Sequence, residues 1–147
     1  MVSDLKMDID GIRLNVRVGA ILRHGNKVVI EISKLGKNSV IPGGRIKIGE
    51  KSSLALIREI EEEMGFKLKE ESLTLIKTLE NFFNFEGQNV HEIYFLYEYS
   101  LSKKEIEKIN KLEINKDNST TYFKFVNKND ISNYNLLPLE IYGDIKK

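Results

Sequence analysis

From Ser52 to Met64 the chain carries neither glycine nor proline, and its apolar residues fall at Leu56, Ile57, Ile60 and Met64. That spacing is helical, and it predicts a helix ended by Gly65. At roughly 100° per residue, Glu59, Glu62 and Glu63 share about 100° of arc beside the apolar stripe, while Glu61 projects to the far side. Like charges three and four residues apart cost roughly 0.2–0.5 kcal/mol per pair unless a cation offsets them. Hard carboxylate oxygens converging from one helix suit Mg²⁺ or Mn²⁺, ions that bind through one or two carboxylates together with substrate phosphates. A solvated acidic helix face is the plainer alternative for E-x-x-E-E alone.

The residues ahead of the helix decide between the two. Pro42-Gly43-Gly44 is a turn whose glycines let the backbone approach a ligand closely. The run GRIKIGEKSSLALIREIEEEMGF, from Gly44 to Phe66, resembles the Nudix box, G-x5-E-x7-R-E-U-x-E-E-x-G-U with U apolar. Gly44, Glu50, Arg58, Glu59, Ile60, Glu62, Glu63, Gly65 and Phe66 occupy every specified position. At ordinary residue frequencies a full match by chance is on the order of one in ten million.

The resemblance implies a single Nudix hydrolase domain over residues 1–147 and a Mg²⁺-dependent pyrophosphohydrolase, with Mn²⁺ as a substitute ion. Its substrate would be a nucleoside diphosphate derivative: an oxidised nucleoside triphosphate, ADP-ribose or a dinucleoside polyphosphate. Carried over by position, Glu62, Glu63 and the Gly43 carbonyl become metal ligands. Glu59 binds metal or orients the attacking water as base, and Arg58 pairs with Glu50 to hold loop against helix. The box leaves the base open, with Glu59 the first choice and Glu92 or Glu113 the second. Two alternatives stand beside this one: a catalytically idle Nudix-fold nucleotide sensor, and an RNA 5′-end pyrophosphohydrolase.

The other features are compatible. Basic and acidic residues number 23 and 22, for a net charge of +1, so no strong field advertises duplex nucleic acid. There is no cysteine, hence no disulfide framework and no thiolate chemistry. The N-terminal stretch lacks the apolar core of a signal peptide, and no long apolar run predicts a membrane span. We expect a cytoplasmic protein with a small-molecule partner and no membrane, and the sequence leaves a homodimer open.

Alternation over Ile12–Leu22 and again at Val28, Ile30 and Ile32 predicts a hairpin across residues 12–33. His24, at its turn, reads as a solvated loop residue. Val40-Ile41 predicts a short strand entering the glycine turn. Leu73–Leu79 and Val90–Tyr99 predict a second hairpin with its tip at Glu86–Asn89. Phe82, Phe83 and Phe85 on this hairpin read as core or hairpin packing, with substrate contact through Phe82 and Phe83 as the alternative. His91, Glu92 and Glu98 read as outward members of the returning strand, Glu92 being the one with a possible role against substrate. Glu105–Lys111 reads as a turn or two of helix or a loop, Thr121–Val126 as a last strand, and Asn129-Asp130 as the cap of a short helix over 131–134. The order of elements predicts an α/β (α+β) domain, which the resemblance sharpens to an α/β/α sandwich with a mixed sheet flanked by helices.

Overall fold

The computed structural model describes residues 2–147. In chain order its elements are β1 Lys6–Ile9, β2 Ile12–His24, β3 Lys27–Ser33, β4 Ser39–Val40, β5 Gly43–Arg45, α1 Ser52–Met64, β6 Thr74–Phe85, β7 Gln88–Ser100, α2 Lys103–Asn110, β8 Thr121–Asn127, β9 Leu136–Leu137 and α3 Tyr142–Ile145. Among the described residues all nine strands join one mixed sheet, as expected of the fold class.

The organising strand is β2. It runs parallel to β7 in register from Arg13↔Val90 to Arg23↔Ser100, and antiparallel to β5 through Arg17↔Arg45, Val18↔Gly44 and Gly19↔Gly43. The first expected hairpin has its turn in the right place but little of the expected pairing: β2 and β3 meet only at Arg23↔Val28 and His24↔Lys27. Beyond that point β3 turns to β8, pairing from Lys27↔Asn127 to Ser33↔Thr121. The second hairpin is longer than its apolar core suggested, with β6 and β7 paired from Thr74↔Glu98 to Phe85↔Gln88.

Period-two alternation gives β2 two different faces. Val18, Ala20 and Leu22 pack with Ala55, Leu56, Ile60 and Met64 of α1, and Ile109 of α2 joins the same core. Ile21 faces the other way, into a second core with Ile30, Tyr94, Leu96, Ile131, Leu136, Ile141 and Ile145. Leu56 and Ile60 are fully buried, each worth roughly 1.5–3 kcal/mol of transfer free energy. Gly65, with φ 84°, closes α1 in the left-handed conformation, and its N–H donates to the Glu61 carbonyl at 2.9 Å.

The charged segment after β7 forms α2, begun by a capping box: Ser102 Oγ accepts from the Glu105 N–H at 3.2 Å, and Glu105 Oε accepts from the Ser102 N–H at 2.8 Å. The expected short helix over 131–134 is instead a 3-10 helix over Lys128–Tyr134. Its cap is Asn127, whose side chain accepts from the Asn129 N–H, and not Asn129 or Asp130. The chain end is tied back by Arg23, which donates to the carbonyls of Ile145 at 2.9 Å and Asp144 at 2.6 Å and pairs with Glu98. No helix among the described residues is long and apolar enough to cross a membrane.

Candidate active site

The loop between β5 and α1 folds onto the helix through one arginine. Arg58 Nε donates to Glu50 Oε2 at 2.8 Å and Nη2 donates to Glu50 Oε1 at 3.0 Å, the two-pronged geometry expected of this pair. Glu50 Oε1 also accepts from the Lys47 N–H, and Arg58 Nη2 from the same fork donates to the Arg45 carbonyl at 3.0 Å. The remaining nitrogen, Nη1, donates to Glu59 at 2.9 Å and to Glu62 at 3.2 Å. Arg58 thus binds loop, strand and two helix carboxylates at once. The hydrogen bonds from Arg58 hold the Glu50 carboxyl below the usual range, and those same bonds, Glu50's first, stabilise the guanidinium charge.

The helix phasing holds for Glu59 and Glu63, which turn inward, Glu63 being only 6% exposed, whereas Glu62 is exposed like Glu61 and differs from it in its contact with Arg58. Burial raises the Glu59 carboxyl, partly offset by Arg58. Burial pushes the Glu63 carboxyl up to about 9, with the charges of Glu31 and Glu59 acting in the same direction. Glu63 Oε1 is buried without a hydrogen-bond partner. Gly44 is required where it stands: a Cβ there would lie 2.3 Å from the Glu59 carboxyl carbon. At Gly43 a Cβ would lie 2.0 Å from the Val18 carbonyl oxygen, so the turn and β2 are in backbone contact.

A divalent cation fits this donor set. Glu63 offers an orphaned buried oxygen, and burial together with the acids around it raises its proton affinity, which the charge of Arg17 offsets only in part. Among the described residues no three acidic or histidine side chains already converge as a cage. Arg58 Nη1 holds Glu59 and Glu62 in the meantime, so an ion would compete with the guanidinium for those two carboxylates.

Several residues stand differently from expectation. Glu92 is not an outward strand member: it is 5% exposed, on the same face of β7 as Tyr94. Its carboxyl is raised by burial and opposed by the charge of Arg17, whose Nε stands 3.9 Å away. Of the core or hairpin packing expected of Phe82, Phe83 and Phe85, the core half fails, since they are 66%, 38% and 62% exposed, and packing within the hairpin is met at Phe82. Phe82 lies against His91 with ring centroids 4.5 Å apart, and His91 Nε2 meets Glu80 at 3.1 Å. Phe83 and Phe85 line a cleft with Arg13, Arg17 and Arg45. His24 is exposed as expected, with its ring edge-on to Phe125. Glu113 is exposed.

One acid near Glu63 was missed. Glu31 of β3 accepts from Asn115 Nδ2 at 2.8 Å and from Thr121 Oγ1 at 2.7 Å, and its charge reaches Glu63. The run Val28-Val29-Ile30 was the available signal. An unbroken apolar stretch marks a strand covered on both faces, which puts Glu31, two residues from Val29, on the face that α1 covers, where it is half-buried.

A curled mixed sheet between helices, with an acidic loop and helix packed on one face, defines a fold class that solved structures share. The chain is similar to the mutator MutT protein of Bacillus halodurans, at 17% identity and TM-score 0.68 over 90% of this chain and 80% of that one. It is similar to a Nudix hydrolase of Nitrosomonas europaea, at 16% identity and TM-score 0.64 over 90% and 86% of the two chains. A C. elegans Ap4A hydrolase in a binary complex matches at 16% identity and TM-score 0.59 over 90% and 93%. Among curated proteins no sequence matches this chain. The NUDIX domain model matches residues 13–142, and the chain belongs to the Nudix family, as a hydrolase acting on pyrophosphate bonds.

Proposed function

We propose that this hydrolase is Mg²⁺-dependent and cleaves the diphosphate linkage of a nucleoside diphosphate derivative, within the class of oxidised nucleoside triphosphates, ADP-ribose and dinucleoside polyphosphates. The observation that carries the proposal is the buried, partnerless Oε1 of Glu63 beside Glu59 and Glu31. A side chain so placed is costly without a cation.

Glu62, Glu63 and the Gly43 carbonyl would hold the ion, with Glu59 as ligand or base. The bound ion would neutralise the diphosphate oxygens and acidify a water for attack on phosphorus. The chain's own contribution is placement. Arg58 fixes the helix relative to the glycine turn, and the absence of a side chain at Gly44 leaves room for the Glu59 carboxyl. The raised Glu59 carboxyl is suited to accept a proton from water, and the hydrogen bond from Arg58 Nη1 holds that acid in place.

The test is a panel of nucleoside diphosphate derivatives incubated with Mg²⁺ or Mn²⁺, reading release of nucleoside monophosphate, phosphate and pyrophosphate. Metal-dependent release from at least one member is expected. No release from any member, with nucleotide binding intact, would favour the idle sensor.

A further inference from the structure

The cleft beside Phe83 and Phe85 is not accounted for by the acidic helix. It has a volume of about 500 Å³, and its walls include Arg13, Asn15 and Arg17 of β2 and Arg45 of β5. Alternation along β2 places residues 13, 15 and 17 on the side away from α1, since Val18, Ala20 and Leu22 pack on the helix. Register then sets Arg45 directly opposite Arg17, and Glu92 beside Asn15.

Three features of this cleft call for an anion. Like charges directly opposite across an antiparallel pair are destabilising, yet Arg17 and Arg45 are so placed. Their compensation is incomplete. Glu92, at 3.9 Å, is the one carboxylate within 4.0 Å of Arg17, whose charge is also felt by Glu59 and Glu63, and among the described residues Arg45 has no carboxylate within 4.0 Å, its Nε being buried without a partner. Arg13, by contrast, is closed by Asp8 at 2.9 and 3.2 Å.

The cleft also asks for more than charge. Asn15 is 5% exposed with a partnerless buried Oδ1, an acceptor awaiting a hydroxyl or N–H donor. Phe83 and Phe85 offer ring faces to a flat group. Several negative charges, a donor and a flat ring together describe a nucleotide.

The cleft is continuous with the helix site through β5. The Arg45 carbonyl accepts from Arg58, and Gly44, the residue before it, lies against Glu59. The scissile diphosphate belongs with the helix carboxylates, so Arg17 and Arg45 are left for charge beyond it. We infer that the cleft is the subsite for a nucleoside polyphosphate, with the base against Phe83 and Phe85 and a phosphate beyond the scissile linkage between Arg17 and Arg45. Nucleoside triphosphates and longer polyphosphates are then preferred over diphosphates whose second group is an uncharged sugar. The inference rests on the pyrophosphohydrolase reading for where the scissile linkage lies, but its test does not.

The experiment is calorimetric titration of the full chain, in metal-free buffer, with the α,β-methylene analogues of ATP and ADP. The wild type should bind the ATP analogue about tenfold more tightly, the scale of one charge-assisted contact. Arg45→Gln should erase that preference, Arg45→Lys should keep part of it, and Phe85→Ala should weaken both analogues alike. Melting curves identify any variant that fails to fold, and the wild-type preference alone still decides the matter. Equal affinity for the two analogues, no binding of either, or an Arg45→Gln variant that retains the preference would overturn the inference. Turnover is measured separately with Mg²⁺. A preference in binding without any turnover would sink the catalytic proposal and leave the cleft assignment standing.

Discussion

Arg58 and Glu50, eight residues apart, are joined by two parallel hydrogen bonds of 2.8 and 3.0 Å, and this pair locks the loop after β5 to the middle of α1. Lysine has the charge but not the fork. Arg58→Lys should therefore lower the free energy of unfolding by about 1–3 kcal/mol, the scale of lost hydrogen bonds to charged groups. Urea unfolding measures this, and an unchanged midpoint would show that the bracket does not hold the loop.

The carboxylates of α1 differ by the direction in which they point. Glu62→Gln and Glu63→Gln should each reduce turnover at least about 10²-fold, as loss of a key electrostatic group does. Glu61→Gln, outside the set of carboxylates that Arg58 gathers, should change little. For the base, Glu59→Gln should abolish activity, while Glu113→Gln, altering an exposed residue, and Asp117→Asn should leave most of it. Asp117 is the sharper control because its charge reaches Glu63. A collapse in the Asp117 variant with Glu59→Gln still active would move the base to the loop before β8.

Glu63 makes the metal-free fold sensitive to pH in a definite direction. Its carboxyl stands at about 9 in the folded chain against an ordinary value of 4.5, so between those two the native state binds more protons than the unfolded chain. Its contribution to stability is fully present below the lower value, falls as pH rises, and is lost above the upper one. Melting temperature in metal-free buffer should accordingly decline from pH 5 to 9 more steeply than in Glu63→Gln. Millimolar Mg²⁺ should oppose the decline, since an ion bound only by the native state adds RT ln(1 + [L]/Kd). Parallel curves for the two proteins, with no effect of Mg²⁺, would contradict this account of Glu63.

The two glycines of the turn should fail differently when changed to alanine. At Gly44 the added Cβ meets a carboxyl at the end of a side chain, whereas at Gly43 it meets the backbone of β2. Gly44→Ala is expected to fold nearly as well as the parent while losing most activity. Gly43→Ala should melt lower as well. Comparing melting temperature and kcat for the pair checks this, and equal melting losses would show that Glu59 cannot move aside.

The acidic helix and its loop were legible because every determinant is local: helical spacing, the terminating glycine and the arginine eight residues after its glutamate lie within one short run. The mixed sheet was legible in class but not in pairing. Nothing in the alternation of β2 distinguishes β3, its neighbour in sequence, from β7, its actual partner, because both are apolar strands with the same period. That gap explains Glu92. Without the register Asn15↔Glu92 there was no way to see which side of β7 turns inward. It also explains the arginines, whose convergence depends on β2 meeting β5. The N-terminal strand Lys6–Ile9 escaped because it is short and exposed along its whole length.

The parallel pairing of β2 with β7 also bears on how the molecule comes into being. Parallel strands need a long crossover, and here the partners Arg13 and Val90 are separated by about half of the chain. The acidic helix with its loop can form from nearby residues, but the arginine cleft cannot exist until that distant closure is complete. Loop-closure entropy must be met before such contacts give any return, which slows folding. In refolding from urea, helical signal should therefore recover before nucleotide binding does, and a chain still emerging from the ribosome would carry its acidic helix well before it has a place to put a substrate.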